Sequence, residues 1–578
     1  MTRKNLRNLA IFVLAATLFT PMAWSGKKKA NGEAAEGSEA AVIRNLDIFN
    51  SLYKELNTFY VDTLNAKKHI ETAINSMLDE IDPYTEYIND DNQDDFLVIS
   101  TGEYGGIGSY IMERKTGGVF ISGPYADSPA ARAGLKCGDQ IIMIDGDSVA
   151  SLKSAEVSKR LKGQANTQIK VTIKRPYTTD SIKTFTFTRE KIKLNPVTYY
   201  GVTKDNIGYI ALNTYNEHSA EGVKKALLEF KANSAVKAVV LDLCGNGGGL
   251  VDEAIKILGF FLPKGTEVLT TKGRTTKDYR VYKTSEQPIM PDMPLAVLID
   301  GGSASASEIT AGALQDLDRA VIIGGRSFGK GLVQTTRPLP FNSLLKLTIA
   351  KYYIPSGRLI QEIDYSHRNP DGTFKHKPDS LCNVFHTAHG REVRDGGGIT
   401  PDIKVKSDSV NRLLYNIYVG NWAFDYATKY ANTHATVAEP SKFKVTDEMF
   451  SEFKASIDPT KFSYDKVCEL GLAELRRVAE AEGYANDSIK AQFEVLAKLL
   501  KHDLNHDLDH NREAISRMIS DEIMQRYYYE PGKVECSLND DRCLDEVQAV
   551  VANGNEYRRI LALDGKANAA NKAKKSKK

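Results

Sequence analysis

Hydrophobic strands that end in glycine turns and lead into helices constrain this fold most. Residues 236–243 form an apolar run, which the glycine-rich turn 245–249 and a helical pattern follow. Residues 295–299 repeat the arrangement, with glycines at 301–302 before a second helix, and residues 321–323 form a third apolar strand. Alternation of strands and helices predicts an α/β core within a larger α+β chain.

The composition excludes several classes of protein. The chain has 578 residues, of which 42% are hydrophobic and 26% are charged, as in soluble globular proteins. A wholly disordered chain, a collagen-like fibre and a polytopic membrane protein are therefore excluded. Lys plus Arg number 76 and Asp plus Glu 74, a net charge of +2. This balance argues against nucleic acid as a partner.

The first residues have the pattern of a secretory signal. Basic residues within 3–7 precede an apolar run over 9–19, and small residues at Ala23 and Ser25 suit cleavage after Ser25. The run is short for a membrane span, which needs about 20 residues. We therefore predict a periplasmic protein with a cleaved signal peptide, and an uncleaved membrane anchor remains the alternative.

The rest of the chain divides by composition and periodicity. We predict the following segments: signal peptide 1–25, linker 26–41, N-terminal helical segment 42–103 that belongs with the core, compact strand-rich domain 104–190, core 191–408, helical C-terminal domain 409–563 and basic tail 564–578.

Two segments carry the chemical signal, 302–308 and 328–334. The first places small residues and serines where a strand turns into a helix. A serine there lies at the positive end of the helix dipole, which favours negative charge on its oxygen. Histidines are sparse nearby, so a lysine is the base to test, and Lys330 lies between glycines after an apolar strand. Burial would lower the pKa of such a lysine.

Other interpretations of these segments are open at this point. Residues 324–331 nearly match a phosphate-binding P-loop, but Gly331 replaces the Mg²⁺-binding hydroxyl and a strand follows instead of a helix. Ser327 and Lys330 also have the spacing of a Ser-x-x-Lys pair, although Phe328-Gly329 suits a helix poorly. The serines could also serve only tight helix packing.

The chain resembles the C-terminal processing peptidases, also called tail-specific proteases, over roughly residues 42–408. The resemblance is carried by seven motifs in order, at 78–85, 104–108, 241–249, 302–308, 328–331, 351–358 and 398–402. It implies a peptidase core related to the Clp-protease and crotonase fold, with an inserted PDZ domain. The alternative function is a catalytically silent PDZ scaffold that only binds peptides.

The resemblance also assigns roles to individual residues. It implies Ser305 as nucleophile, Lys330 as general base and Gln334 as the residue that orients the base. It implies that the backbone N–H groups of Gly249 and Ala306 form the oxyanion hole. Ser303 and Ser307 are the fallback nucleophiles. One departure is Cys244, where the family usually has Arg.

Residues 104–190 resemble a PDZ domain. Its carboxylate-binding loop would comprise Tyr104, Gly105, Gly106, Ile107 and Gly108. An extended peptide would then add a strand beside residues 107–111. The expected partners are protein or peptide substrates with free apolar C-termini, while a homo-oligomer and an adaptor protein are left open. A purely structural β-domain is the alternative.

No cofactor and no metal are implied. His502, His506 and His510 would share one face of a continuous helix, a spacing that can bind zinc, although a solvated polar face is the commoner outcome. Export would allow disulfides to persist, and Cys536 and Cys543 are the expected pair because a turn separates them, while the sequence leaves the connectivity of the six cysteines open.

Overall fold

The computed structural model describes residues 39–368, 374–376, 378–406 and 411–563. The predicted signal peptide, the linker up to residue 38 and the basic tail lie outside the described residues. The chain divides into two units, the first ending at Ser76 and the second beginning at Met77. The first contains helix α1 (Glu39–Phe59) and most of helix α2 (Ala66–Asp79).

The second unit begins with the elements around the predicted PDZ segment. In chain order these are β1 (Glu86–Ile88), α3 (Gln93–Thr101), β2 (Glu103–Gly106), β3 (Ser109–Glu113), β4 (Val119–Pro124), α4 (Pro129–Ala133), β5 (Gln140–Ile144), β6 (Asp147–Ser148), α5 (Ser154–Leu161), β7 (Gln168–Lys174), β8 (Ile182–Thr188) and β9 (Glu190–Lys193). One antiparallel sheet has the strand order β3-β4-β5-β7-β8, so β3 forms an edge. Strands β2 and β9 pair separately.

The core follows, with strands and helices in alternation. Its elements are β10 (Val197–Val202), β11 (Ile207–Leu212), α6 (Ser219–Ala232), β12 (Ala238–Asp242), α7 (Val251–Gly259), β13 (Glu267–Gly273), β14 (Arg280–Lys283), β15 (Leu295–Ile299), α8 (Ala306–Asp316), β16 (Val321–Gly324), β17 (Leu332–Leu339), β18 (Ser343–Tyr353), β19 (Ile363–Arg368), β20 (Phe374–His376), β21 (Val384–His386), β22 (Glu392–Arg394) and β23 (Ile403–Lys404). The central sheet has the order β10-β11-β12-β15-β16-β23. All neighbours are parallel except β10 and β11.

The C-terminal region is helical, as predicted. Its helices are α9 (Arg412–Val419), α10 (Trp422–Thr433), α11 (Asp447–Ser456), α12 (Val467–Ala481), α13 (Asp487–Leu499), α14 (Leu504–His510), α15 (Arg512–Ser537), α16 (Arg542–Ala552) and α17 (Gly554–Ile560). Helix α15 contains Pro531 and breaks two residues before it, at Tyr529, where φ is 58° and ψ is −163°. Helices α16 and α17 are separate, because the backbone of Asn553 leaves the helical region between them.

Both faces of the central sheet are covered, which explains its continuous apolar strands. Alternate side chains such as Ile210 and Leu212 pack with α6, α7 and α8 in one buried cluster. Their neighbours Tyr209 and Ala211 pack on the opposite face with Leu544 and with other side chains of α16. The mixed α/β architecture agrees with the prediction from the sequence.

A second sheet supports the loop that carries Lys330. It has the order β1-β18-β13-β14, and β17 pairs with β18 on the remaining edge. Strand β1 pairs antiparallel with β18, which brings residues 86–88 beside residues 344–346. The segment before β1 is thereby held next to the start of β17.

The structure contradicts the predicted cysteine pair and does not bring the three C-terminal histidines onto one helix. All six cysteines are free. Cys536 lies in the core of the helical region, whereas Cys543 packs at the central sheet, so the two do not meet. The expected Cys536–Cys543 disulfide is therefore wrong. His502 precedes α14, so the three histidines do not share one helix face. In the described ranges no three potential ligands come together for a metal ion.

Candidate active site

Ser305 is the residue immediately before helix α8. Its backbone has φ 56° and ψ −113°, a conformation that non-glycine residues rarely adopt and that costs roughly 1–3 kcal/mol. The buried neighbours Ala304 and Ala306 hold the turn in place. The side chain lies at the positive end of the helix dipole.

The three serines of this segment differ in their surroundings. Ser303 and Ser307 are fully buried, and their hydroxyls donate to the carbonyl oxygens of Leu243 and Asn246, each at 2.8 Å. The hydroxyls of both fallback nucleophiles are therefore engaged in hydrogen bonds that hold the backbone. Ser305 is half-buried and therefore accessible.

The glycine-rich turn lies against Ser305. A Cβ atom on Gly248 would lie 2.8 Å from both Ala306 N and Ser305 Cβ, so only glycine fits there. Gly249 has φ +144°, and a Cβ atom there would lie 2.2 Å from the carbonyl oxygen of Tyr215. Within the described residues, the N–H groups of Gly249 and Ala306 make no hydrogen bond. Both predicted oxyanion donors are thus free of other hydrogen bonds in this part of the chain.

Glu308 connects the nucleophile segment with the loop of Lys330. One carboxylate oxygen accepts the backbone N–H groups of Ser305 at 2.9 Å and Lys330 at 2.8 Å. The other accepts the Gly329 N–H at 2.7 Å and the Ser327 hydroxyl at 2.6 Å. Complete burial raises the pKa of Glu308 to about 7, although these hydrogen bonds oppose the shift.

Lys330 lies in the loop between β16 and β17. Burial, followed by repulsion from Lys346, lowers the pKa of Lys330 to about 8, so a neutral amine is accessible near physiological pH. Its ammonium lies over the ring of Tyr84, 4.3 Å from the centroid. In the part of the chain that the structure describes, no hydrogen bond joins Lys330 Nζ to Ser305 Oγ.

Gln334 lies in β17 and makes a different contact from the one expected. Its amide donates to Thr348 Oγ1 at 3.1 Å, and the Thr348 N–H donates to Thr85 Oγ1 at 3.3 Å. The pairing of β17 with β18 shifts register between Val333 and Gln334, which directs the amide toward the neighbouring strand. Its role toward Lys330 stays a prediction.

The predicted carboxylate loop is partly a strand. Tyr104, Gly105 and Gly106 belong to β2 and pair with β9, while Ile107 and Gly108 form the connection to β3. Only this connection leads directly to the free edge of β3, on which a peptide strand could be added. At the far end of β3, the Glu113 carboxylate accepts hydrogen bonds from the Lys153 ammonium at 2.7 Å and from the Ser154 N–H at 3.0 Å.

Three residues of the site had no assigned role in the sequence. Glu308 stands three residues after Ser305, the spacing of a capping box, so its contact with the Ser305 N–H was recognisable. The side chain of Asn246 joins the glycine-rich turn to the end of β11, because it donates to Leu212 O at 2.6 Å and accepts the Gly248 N–H at 2.9 Å. Tyr84 lies far from Lys330 along the chain and gives no local signal.

Comparisons with known proteins identify the domains of this chain. Residues 206–368 match peptidase family S41, residues 120–175 match a PDZ domain, and residues 413–551 match "Probable PDZ-protease, C-terminal helical domain". A carboxy-terminal-processing protease of Bartonella bacilliformis is 38% identical over 330 residues, which cover 56% of this chain and 75% of that protein. A probable CtpA-like serine protease of Staphylococcus haemolyticus is 34% identical over 407 residues, 69% of this chain and 79% of that one.

Among solved structures, a photosystem II D1 C-terminal processing protease aligns with 25% identity and a TM-score of 0.36, over 64% of this chain and 88% of that one. The alignments with these two sequence relatives cover three quarters or more of the length of each relative. The chain therefore belongs to the carboxy-terminal-processing serine proteases of peptidase family S41, with a PDZ domain and a C-terminal helical domain.

Proposed function

We propose that this protein is an exported endopeptidase in which Ser305 is the nucleophile and Lys330 the general base. The observation that carries the proposal is the carboxylate of Glu308, which binds the backbone N–H groups of both residues at 2.8–2.9 Å. One buried group thus fixes the two loops next to each other. The accessible Ser305 and the lowered pKa of Lys330 add support.

The reaction needs Lys330 in its neutral form. The amine accepts the proton from Ser305 Oγ as the oxygen attacks a peptide carbonyl. The resulting ammonium then donates this proton to the leaving amine of the substrate, which gives an acyl-enzyme on Ser305. Water attacks the ester with Lys330 again as base, and the Ser305 hydroxyl is restored.

The developing oxyanion needs hydrogen-bond donors. The N–H groups of Gly249 and Ala306 are unused within the described residues and flank Ser305, so we assign them to the oxyanion hole. Loss of one such donor typically lowers the rate about 100–1,000-fold. Ser303 and Ser307 hold the loop through their bonds to backbone carbonyls and take no part in the chemistry.

The PDZ domain would select the substrate by its C-terminus. The free edge of β3 and the 107–108 connection suit an added peptide strand with a terminal carboxylate. Tethering the tail raises the local concentration of the substrate at Ser305. We propose the domain borders 104–190, 191–408 and 409–563 for the PDZ domain, the peptidase core and the helical domain.

Export is proposed from the N-terminal sequence, which lies outside the described residues. In the ranges that the structure describes, no helix is both long and apolar enough to span a membrane. N-terminal sequencing of the protein from the producing cell tests this: a mature chain that starts at Gly26 supports export. A chain that keeps Met1 contradicts cleavage.

A cleavage assay tests the catalytic assignment. The substrate is an unfolded protein with an apolar C-terminus, incubated with wild type, Ser305→Ala and Lys330→Ala. We expect both variants to lose cleavage while retaining the circular dichroism spectrum of wild type. Ser307→Ala is the comparison variant: it removes a structural hydroxyl bound to Asn246 O and not the nucleophile, so it should keep measurable cleavage even if the loop is weakened. Retained cleavage in Ser305→Ala would overturn the assignment.

A further inference from the structure

The side chain of Lys330 rests on an aromatic ring. Its Nζ atom lies 4.3 Å from the ring centroid of Tyr84. Within the described residues this amine has no hydrogen bond to Ser305, although the backbones of both residues share Glu308. The backbones of Ser305 and Lys330 are thus held together by Glu308, while the side chain of Lys330 contacts Tyr84 and not Ser305.

Tyr84 is held firmly in this position. The Asp82 carboxylate accepts the N–H groups of Tyr84 at 2.8 Å and Thr85 at 2.7 Å, which fixes the turn. The hydroxyl of Tyr84 lies 3.1 Å from the hydroxyl of Tyr365, and the two rings meet edge to face. Pairing of β1 with β18 anchors the segment that follows. The ring therefore offers a fixed face to Lys330.

The attraction between the two side chains depends on the protonation of Lys330. A ring face attracts an ammonium through its quadrupole, and this electrostatic attraction disappears when the amine is neutral. Four further charged groups act on Lys330: Lys346 of β18 repels the ammonium, while Glu86 of β1, Glu308 of α8 and Asp82 of the turn attract it. Tyr84 adds to the groups that favour the protonated form.

We propose that Tyr84 is a positioning residue that holds the protonated side chain of Lys330 in the resting enzyme and releases the neutral amine toward Ser305. The inference rests on the proposed function, because it takes Lys330 as the base. The ammonium first gives its proton to water or buffer, and the free amine then accepts the proton of Ser305 Oγ. Each catalytic cycle returns Lys330 to its neutral form.

The test compares two substitutions of Tyr84 in the full chain. Tyr84→Leu keeps apolar bulk but removes the ring face, whereas Tyr84→Phe keeps the ring and removes the hydroxyl that contacts Tyr365. The measurement is kcat/KM for the unfolded substrate between pH 5 and 10. We expect the midpoint of the acidic limb to fall by about 0.5–1 pH unit in Tyr84→Leu and to stay at the wild-type value in Tyr84→Phe.

A second readout is independent of activity. In a Ser305→Ala background, trace acetylation of Lys330 by acetic anhydride is followed by mass spectrometry as a function of pH. We expect the same downward shift of the Lys330 titration with the leucine and none with the phenylalanine. Tyr84→Met, which is also apolar without a ring, repeats the comparison if Tyr84→Leu does not fold.

The outcomes separate this inference from the proposed function. An unchanged titration in folded Tyr84→Leu or Tyr84→Met would overturn the role of the ring. An equal shift in Tyr84→Phe would overturn it too, because the hydroxyl would then be responsible. Full cleavage by Lys330→Ala would instead refute the proposed base, while the acetylation titration still measures the effect of Tyr84 on the lysine.

Discussion

Substitution of Glu308 by glutamine tests how the two catalytic loops are joined. Glutamine keeps the shape of the side chain but replaces one acceptor oxygen with an NH₂ donor. If its carbonyl takes the position that binds Ser305 and Lys330, the amide nitrogen faces Ser327 and Gly329. The Ser327 hydroxyl can rotate to accept, but the Gly329 N–H cannot. One buried backbone donor is left without an acceptor, which costs about 1–3 kcal/mol of unfolding free energy.

The difference from wild type depends on pH. Burial raises the pKa of Glu308 from 4.5 to about 7, so between these values the folded state binds more protons than the unfolded state. Unfolding free energy of the wild type therefore falls as pH rises through this window. This difference in pKa between the folded and unfolded states corresponds to about 3 kcal/mol of unfolding free energy. Glutamine does not titrate and escapes this loss.

The two terms together predict a crossing. Near pH 4.5 Glu308→Gln should be less stable than wild type by about 1–3 kcal/mol, because glutamine is compared with the neutral acid there. By pH 8 the wild type has lost about 3 kcal/mol, so the deficit of the variant closes or reverses. The relative stability of the variant thus rises with pH.

Urea denaturation followed by circular dichroism at pH 5 and pH 8 measures this difference. Glu253→Gln is the control, since Glu253 is also a buried carboxylate that accepts a backbone N–H, that of Ala220 at 2.8 Å, away from Ser305. It separates general weakening of the core from the effect at the catalytic loops. A difference between wild type and Glu308→Gln that is equal at both pH values would refute the reasoning.

Three further predictions concern the chemistry and the binding of substrate. The kcat/KM of wild type should rise with pH, with the midpoint of the rise near pH 8, because Lys330 must lose its proton to act as base. A flat profile from pH 6 to 9 would contradict this. Gly248→Ala should lower kcat about 100-fold or more, since its Cβ would lie 2.8 Å from Ala306 N, whereas Gly247→Ala, with nothing within 4 Å, should stay near wild type. Gly106→Asp should weaken binding of peptides with a free C-terminus more than that of amidated peptides in calorimetric titrations, and equal weakening of both would argue against a carboxylate site.

The sequence was sufficient for features that depend on neighbours along the chain. Apolar runs and glycine turns located β15 and α8, and the structure places these elements at Leu295–Ile299 and Ala306–Asp316. The position of Ser305 before a helix followed from the same pattern. Local periodicity and turn chemistry dominate at these places, so few alternatives compete.

Contacts between distant segments were not predictable in this way. Gly105 and Gly106 were expected in a loop, but pairing with β9 makes them a strand. The amide of Gln334 binds Thr348 because of a register shift between β17 and β18, which no local pattern indicates. The ring of Tyr84 lies over Lys330 although the two residues are far apart in sequence, and the pairing of β1 with β18 holds the segment of Tyr84 there. Each case depends on the tertiary arrangement of the sheets.

The central claim is that Ser305 is a nucleophile activated by Lys330, and covalent labelling tests it most directly. A peptidyl fluorophosphonate loses fluoride to an activated serine and leaves a stable phosphonate ester, which mass spectrometry assigns to one residue. We expect the label on Ser305 in wild type and a labelling rate at least 100-fold lower in Lys330→Ala. A label on Ser303, Ser307 or Ser327, or labelling of Ser305 at the wild-type rate in Lys330→Ala, would contradict the account.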